Sequence, residues 1–261
     1  MVSPYKYQDI TTLIQGPRQD NGPDIETYLK YGPVVLSSWT DSNQSELQAK
    51  RSLITLPMIN HPGVKHIVNP LPSRNREHCL VDSTFYWAIC SMYHGLKNVE
   101  TKYVVKTRSD ERFSELEPFI EPFLLDDKKM VCGNIFVQKF ALQQFHIGDH
   151  IFVAKTETLL DAVSTIRNIY NGNAEKYTWA EQGPYSAEQV LAFAFLNSNG
   201  VQVPNVINGQ EQPGERDIFH ENFYVVDISK VSDYKARWNH ARKTYDNNFI
   251  NPHGVATMED I

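Results

Sequence analysis

The stretch "NREHCLVDSTFYWAICSMYHGLKNVETKYVVKTRSD", residues 75–110, sets the fold class. Val81, Phe85, Ile89, Met92 and Leu96 recur at spacings of four and three, which predicts a helix over 75–96 with one apolar face. Gly95 is expected to stop that helix. Val104 and Val105 then make a short apolar run, a strand over 103–106, which leads into Lys106, Arg108, Asp110, Glu111 and Arg112. A helix that delivers the chain into a buried strand is the second half of a parallel crossover. Five charges packed at the strand's exit call for water, partners or a ligand.

The same alternation continues in both directions. Upstream, "PVVLSS" (33–38) and "VKHIVNP" (64–70) read as strands, with "DSNQSELQAKRSLI" (41–54) as a helix between them. Residues 1–31 read as polar and irregular, with Pro17, Gly22 and Pro23 as breakers. Downstream, "ELEPFIEPFLLDDKK" is interrupted by Pro118 and Pro122 and is expected to be a loop with one helical turn. "VCGNIFVQKF" (131–140) and "HIFVAK" (150–155) read as strands. "TETLLDAVSTIRNIYNG" is a helix capped by Thr156 and ended by Gly172. "SAEQVLAFAFLNSNG" is a helix opened by a capping box of Ser186 and Gln189 and ended by Gly200. "NFYVVDIS" is a late strand, followed by a polar helix around 233–245 and a tail.

This order predicts one α/β domain over 1–261, with a mainly parallel central sheet flanked by helices in a Rossmann-like sandwich. Residues 33–196 would form its core and 197–261 a terminal strand, helix and tail. A hydrophobic fraction of 41% in 261 residues supports such a core. A net charge of −6 without a basic block argues against nucleic acid as a partner. No apolar run of about 18 residues predicts a transmembrane segment, and the first residues lack a secretory layout. Cys79, Cys90 and Cys132 show no paired spacing, so a cytoplasmic protein with three reduced thiols is expected.

In open α/β sheets ligands bind beyond the carboxyl ends of the strands. Two predicted strands end in polar residues, "VVLSSWTD" (34–41) and "YVVKTRSD" (103–110). Asn75 and Arg76 open the long helix, where free N–H groups and a guanidinium fork suit phosphate. Asp110 lies just past a strand end, where a carboxylate can hold a divalent ion between two phosphates. The plainer reading of Asp110 is a salt bridge to Arg108, Arg112 or Lys106.

"VVLSSWTD", the helix and strand of 75–110, "FHIGDHIFVAKTETL" and "AEQVLAFAFL" resemble, in that order, the WavE-like glycosyltransferases. That family is associated with bacterial lipopolysaccharide core synthesis and has relatives in large DNA viruses. The match spans roughly residues 33–196. It implies a GT-A architecture and transfer of a hexosyl or pentosyl group from a nucleotide diphosphate-sugar donor to a carbohydrate or glycoconjugate acceptor. By the same resemblance Ser37, Ser38 and Trp39 would border the nucleoside, and Asn75 and Arg76 would open the nucleotide-binding helix. Arg108-Ser109-Asp110 stands where Asp-x-Asp is often found. The chain departs from that pattern at Arg108, which leaves Asp110 as the metal ligand for Mn2+ or Mg2+ and lets Arg108 or Lys106 meet diphosphate directly.

Sugar transfer needs a general base near the acceptor hydroxyl. Glu188, in the first turn of its helix, matches the segment that carries that carboxylate in inverting GT-A enzymes, although the helix dipole alone favours an acid there. Asp149, between His146 and His150, is the second candidate for contact with sugar or for catalysis; a Gly-Asp turn is its plain reading. His146 and His150 are not read as a zinc pair, because a turn is not a helix face. His220, His240 and His253 are open candidates for a late metal ligand. Two other readings stand beside transfer. One is a nucleotide- or sugar-binding module without catalysis. The other is a sugar nucleotidyltransferase, which wants a glycine-rich basic loop after the first strand; "SSWTDSNQ" has no glycine.

Overall fold

The strand at the middle of the sheet lies in the part of the chain that reads as irregular. In the computed structural model, which describes residues 7–16, 25–40, 61–70, 83–135, 137–181, 185–231 and 235–236, "ITTLIQ" forms β1 (Ile10–Gln15), buried at every position. Its two flanks pair with β2 (Val34–Thr40) and β4 (Tyr103–Arg108), both parallel. β3 (Val64–Pro70) extends the sheet beyond β2, again parallel. On the other side come β7 (Phe152–Lys155), antiparallel to both its neighbours, then β6 (Met130–Gly133) and β8 (Phe223–Val226), parallel to each other. The full order is β3-β2-β1-β4-β7-β6-β8. A second, two-stranded sheet joins β5 (Glu111–Arg112) to β9 (Lys235–Ala236).

Period-two alternation assigns the inner strands to two cores. Leu13, Val35 and Val104 face one, where they meet Ile89 and Met92 of α2 (Ser83–Leu96), Leu159 and Val163 of α4 (Thr156–Tyr170), and Leu191 and Phe193 of α5 (Ala187–Ser198). Ile14, Val34 and Val105 face the other, against Tyr28 of α1 (Ile25–Leu29) and Phe119, Ile120 and Phe123 of α3 (Glu117–Leu125). Strands buried on both faces need such near-continuous apolar runs. Each fully buried Leu, Val or Phe adds roughly 1.5–3 kcal/mol of transfer free energy. α6 (Glu215–Asn222) precedes β8.

Several local expectations change. Residues 117–125 form a nine-residue helix rather than a loop. Pro118 sits in its first turn, where the missing N–H costs nothing, and Phe119, Ile120 and Phe123 supply the buried stripe that carries it past Pro122. The strand foreseen over 131–140 stops at Gly133. Gly95 does not end α2 but lies inside it, where the helix crosses the sheet so closely that a Cβ would collide with Leu13 and stand 3.1 Å from the Ser37 Cβ. Thr156 begins α4, yet its hydroxyl donates to the Thr101 carbonyl at 2.9 Å instead of capping. Gly172 and Gly200 do take the left-handed conformation just past their helices. The Ser186–Gln189 capping box forms as expected. Residues 235–236 are a strand, not part of a helix. The helix over 41–54 and residues 237–245 lie outside the described residues.

Candidate functional site

The strand order reverses between β1 and β4: from β1 the chain builds β2 and β3 on one side, then crosses to β4 on the other. A crevice at the carboxyl ends of the strands is the ligand site of such a sheet. Three strand ends are stitched together there. Ser109 N–H donates to the Gln15 carbonyl at 2.9 Å, and Gly16 N–H donates to the Ser37 carbonyl at 3.1 Å. Gly16 has φ +131°, and a Cβ on it would stand 2.6 Å from Ser109 Oγ, so the turn after β1 requires glycine.

At the exit of β4 the charged knot resolves into specific pairs. Arg108 donates from Nε to Asp110 Oδ1 at 2.9 Å and from its terminal nitrogen to Oδ2 at 3.0 Å, a bidentate fork. Burial opposes the Asp110 charge, but those hydrogen bonds outweigh it and hold the carboxyl below its usual range. Lys106, assigned from sequence to ligand contact, is 1% exposed. Its ammonium donates to the Asp149 carbonyl and lies 5.1 Å from the Phe152 ring centroid. Burial pulls its pKa down to about 8. Solvent does not reach the ammonium, which holds the Asp149 loop in place. Glu111 is fully buried in β5 and finds a partner rather than water, bonding to Nδ1 of His150.

His150 turns its Nε2 toward Asp149 Oδ1, 3.5 Å away. Burial works against ionisation of Asp149. The nearby charges of His150, Lys106, Arg108 and His146 reverse that and lower its pKa to about 2. His146 Nε2 lies 3.5 Å from Glu188 Oε2. Burial depresses the His146 pKa against the pull of Glu188 and Asp149. Lys106, Arg108, Asp110, Asp149 and Glu188 are thus brought into one electrostatic neighbourhood, together with Glu111, His146 and His150. Sequence reasoning assigns no role to Glu111 or His146; their signal exists only as contacts some 40 residues apart along the chain.

The β2 serines are otherwise engaged. Ser37 is fully buried; its hydroxyl donates to the Ser91 carbonyl at 2.7 Å and accepts from Asn69 at 2.8 Å. Ser38 Oγ meets His66 Nε2 at 2.8 Å. These hydroxyls tie β2 to α2 and β3. The side chain of Trp39, and Asn75, Arg76, His240 and His253, lie outside the described residues. His220 sits on α6 against Phe219. Cys90 and Cys132 are free and buried, the latter's thiol pushed up to about 12 by burial; Cys79 is outside the described residues.

Among the described residues, no group of three or more His, Cys, Asp or Glu side chains could hold a metal ion. Asp110 has both oxygens engaged by Arg108, so the described donor set does not fit a divalent cation. Among the described residues, no helix is long and apolar enough to cross a membrane.

No family model matches the chain, and no curated protein does. Solved structures resemble parts of it. HddC from Yersinia pseudotuberculosis is similar at a TM-score of 0.35 and 14% identity, over 59% of this chain and 80% of that one. The mannosyltransferase PcManGT from Pyrobaculum calidifontis, solved in complex with GDP-Man and Mn2+, is similar at a TM-score of 0.38 and 13% identity, over 60% of this chain. The chain covers 47% of that mannosyltransferase. The α/β fold stands on the chain's own sheet and its two cores.

Proposed function

We propose that the chain is a glycosyltransferase that moves a sugar from a nucleotide diphosphate-sugar donor to a carbohydrate or glycoconjugate acceptor, within the WavE-like group that its motifs resemble. The observation that supports this reading is the grouping, near the strand reversal between β1 and β4, of the Arg108 guanidinium, an ionised Asp149 and His146 with Glu188 3.5 Å from it. In the proposed reaction the acceptor oxygen attacks the anomeric carbon and the diphosphate departs with the bonding pair. Arg108 stabilises that departing charge. Asp149 accepts hydrogen bonds from sugar hydroxyls, and the acceptor's proton is taken at the Glu188–His146 pair. A divalent cation would require Asp110 to exchange its fork to Arg108 for the ion.

The test is release of nucleoside diphosphate from a panel of UDP-, GDP- and CDP-sugars, with and without Mn2+ or Mg2+, alongside calorimetry with the bare diphosphates. Release from one nucleotide class is expected, and Arg108→Ala should weaken binding of that diphosphate by roughly tenfold or more. Binding without release would support the non-catalytic module instead, and neither binding nor release would sink the nucleotide reading altogether.

A second reading is favoured by one observation. The lack of glycine in "SSWTDSNQ" counts against nucleotidyl transfer only if that loop succeeds the first strand. The first strand is β1, and the residues next to its end are Gly16-Pro17-Arg18. A glycine in the left-handed half of conformational space with an arginine two residues on suits a nucleoside triphosphate. Pyrophosphate release from a nucleoside triphosphate and a sugar 1-phosphate would select this reading.

A further inference from the structure

Arg108 closes β4 beside the strand reversal, in register with Gln15, the last residue of β1. Ligands of such sheets bind beyond these strand ends. Its fork to Asp110 uses Nε and one terminal nitrogen, at 2.9 and 3.0 Å. A carboxylate and a phosphate take the same bidentate fork from a guanidinium. The arginine is also the more accessible partner: its side chain is 30% exposed, against 10% for Asp110.

The neighbouring carboxylates are committed as well. Glu111 bonds to His150. Asp149, whose ionisation burial opposes, is kept charged by His150, Lys106 and Arg108. Mg2+ at a phosphate site is held by one or two carboxylates together with the phosphates. An ion on Asp110 would either displace Arg108 from it or stand against the like charge of the guanidinium. The chain carries Arg108 two residues before Asp110 in place of a second acid, and the fold uses that arginine to neutralise the acid that remains.

We propose that Arg108 takes the place of a divalent cation in this chain, with Asp110 as its internal counter-anion rather than a metal ligand. The inference rests on the diphosphate part of the glycosyl-transfer reading. An incoming diphosphate competes with Asp110 for the guanidinium and is repelled by the carboxylate's charge. That sets the sign of a substitution. Asparagine at this position still accepts a hydrogen bond from Arg108, so the arginine keeps an anchor while the repelling charge is gone. A metal ligand would behave in the opposite way, because its loss removes the ion that draws the phosphates in.

Calorimetry with UDP, GDP, CDP and inorganic pyrophosphate, first in EDTA and then with Mg2+ or Mn2+, reads the outcome without turnover. At least one of these should bind in EDTA, and neither metal should tighten it. Asp110→Asn should tighten binding in EDTA roughly tenfold, as expected when one like charge is removed from a partly buried site. If that variant does not fold, the wild-type comparison between EDTA and metal still decides. Binding that needs Mg2+ or Mn2+, or a folded Asp110→Asn that binds no better than the wild type, would overturn the inference and leave the nucleotide reading standing. No binding of any of the four compounds, with or without metal, would overturn the nucleotide reading itself.

Discussion

The two walls of the crevice are built on opposite principles. At the exit of β4 the charges are paired: Arg108 with Asp110, Glu111 with His150, Lys106 with the Asp149 carbonyl. On the segment 144–146, which Gln189 of α5 holds through the Gln144 carbonyl, Gln144 and His146 keep buried polar atoms without a hydrogen-bond partner among the described residues. The first wall is preorganised by its own interactions and holds a field in place. The second bears a desolvation cost that the contacts among the described residues do not offset. The contrast teaches that charge density is a poor guide to where polar groups go unpaired; the satisfied wall is the more charged of the two.

Removing one partner from the satisfied wall should have the largest effect on stability. Glu111→Ala strips the buried carboxylate from His150 and unpins the first residue of β5, which pairs with Ala236. Leaving a buried polar group without its hydrogen-bond partner costs roughly 1–3 kcal/mol, and more where charge is involved. Urea denaturation at neutral pH should show a fall of that order. A loss under about 1 kcal/mol would mean that the pair does not brace this wall.

On the unsatisfied wall the sign should reverse. Gln144→Leu keeps the approximate shape and deletes two buried polar atoms that lack partners among the described residues, so the folded state should gain roughly 1–3 kcal/mol. The same denaturation experiment checks it. A variant less stable than the wild type would show that the amide is satisfied in solution, and the contrast between the walls would weaken.

Much of this architecture is legible in the sequence, and the failures have physical causes. Apolar periodicity marks α2 and α4, and the capping box of α5 forms where Ser186 and Gln189 place it. β1 escapes such a reading because Thr11 and Thr12 interrupt its apolar residues and breakers crowd its C-terminal side, although the β-branched run Ile10-Thr11-Thr12 carries the signal. α3 escapes it because Pro118 and Pro122 look like breaks until their positions within a helix are considered. The reversed direction of β7 has no trace in composition at all. At the site, residue types are readable but pairings are not. Arg108 and Asp110 are two apart and can be guessed, whereas Glu111 and His150 meet across 39 residues.

The smallest predicted effect tests whether Lys106 belongs to the satisfied wall as a buried cation. Its folded pKa of about 8 lies below its ordinary 10.5, so the unfolded chain binds more protons between those values. Stability then rises with pH through that window instead of falling. Above about pH 9 the trend is opposed, because burial raises the pKa of the Cys90 and Cys132 thiols and of the Tyr28 hydroxyl, and stability from these groups is lost as pH rises. The useful interval is therefore pH 8 to 9, where the Lys106 contribution should approach about 1 kcal/mol per pH unit. Lys106→Met keeps the length and the contact with Phe152 while removing the titrating group. Denaturation curves at pH 8 and pH 9 should show the wild type gaining stability relative to the variant across that unit. Equal slopes in the two proteins would place the ammonium in solvent, free to meet a ligand directly.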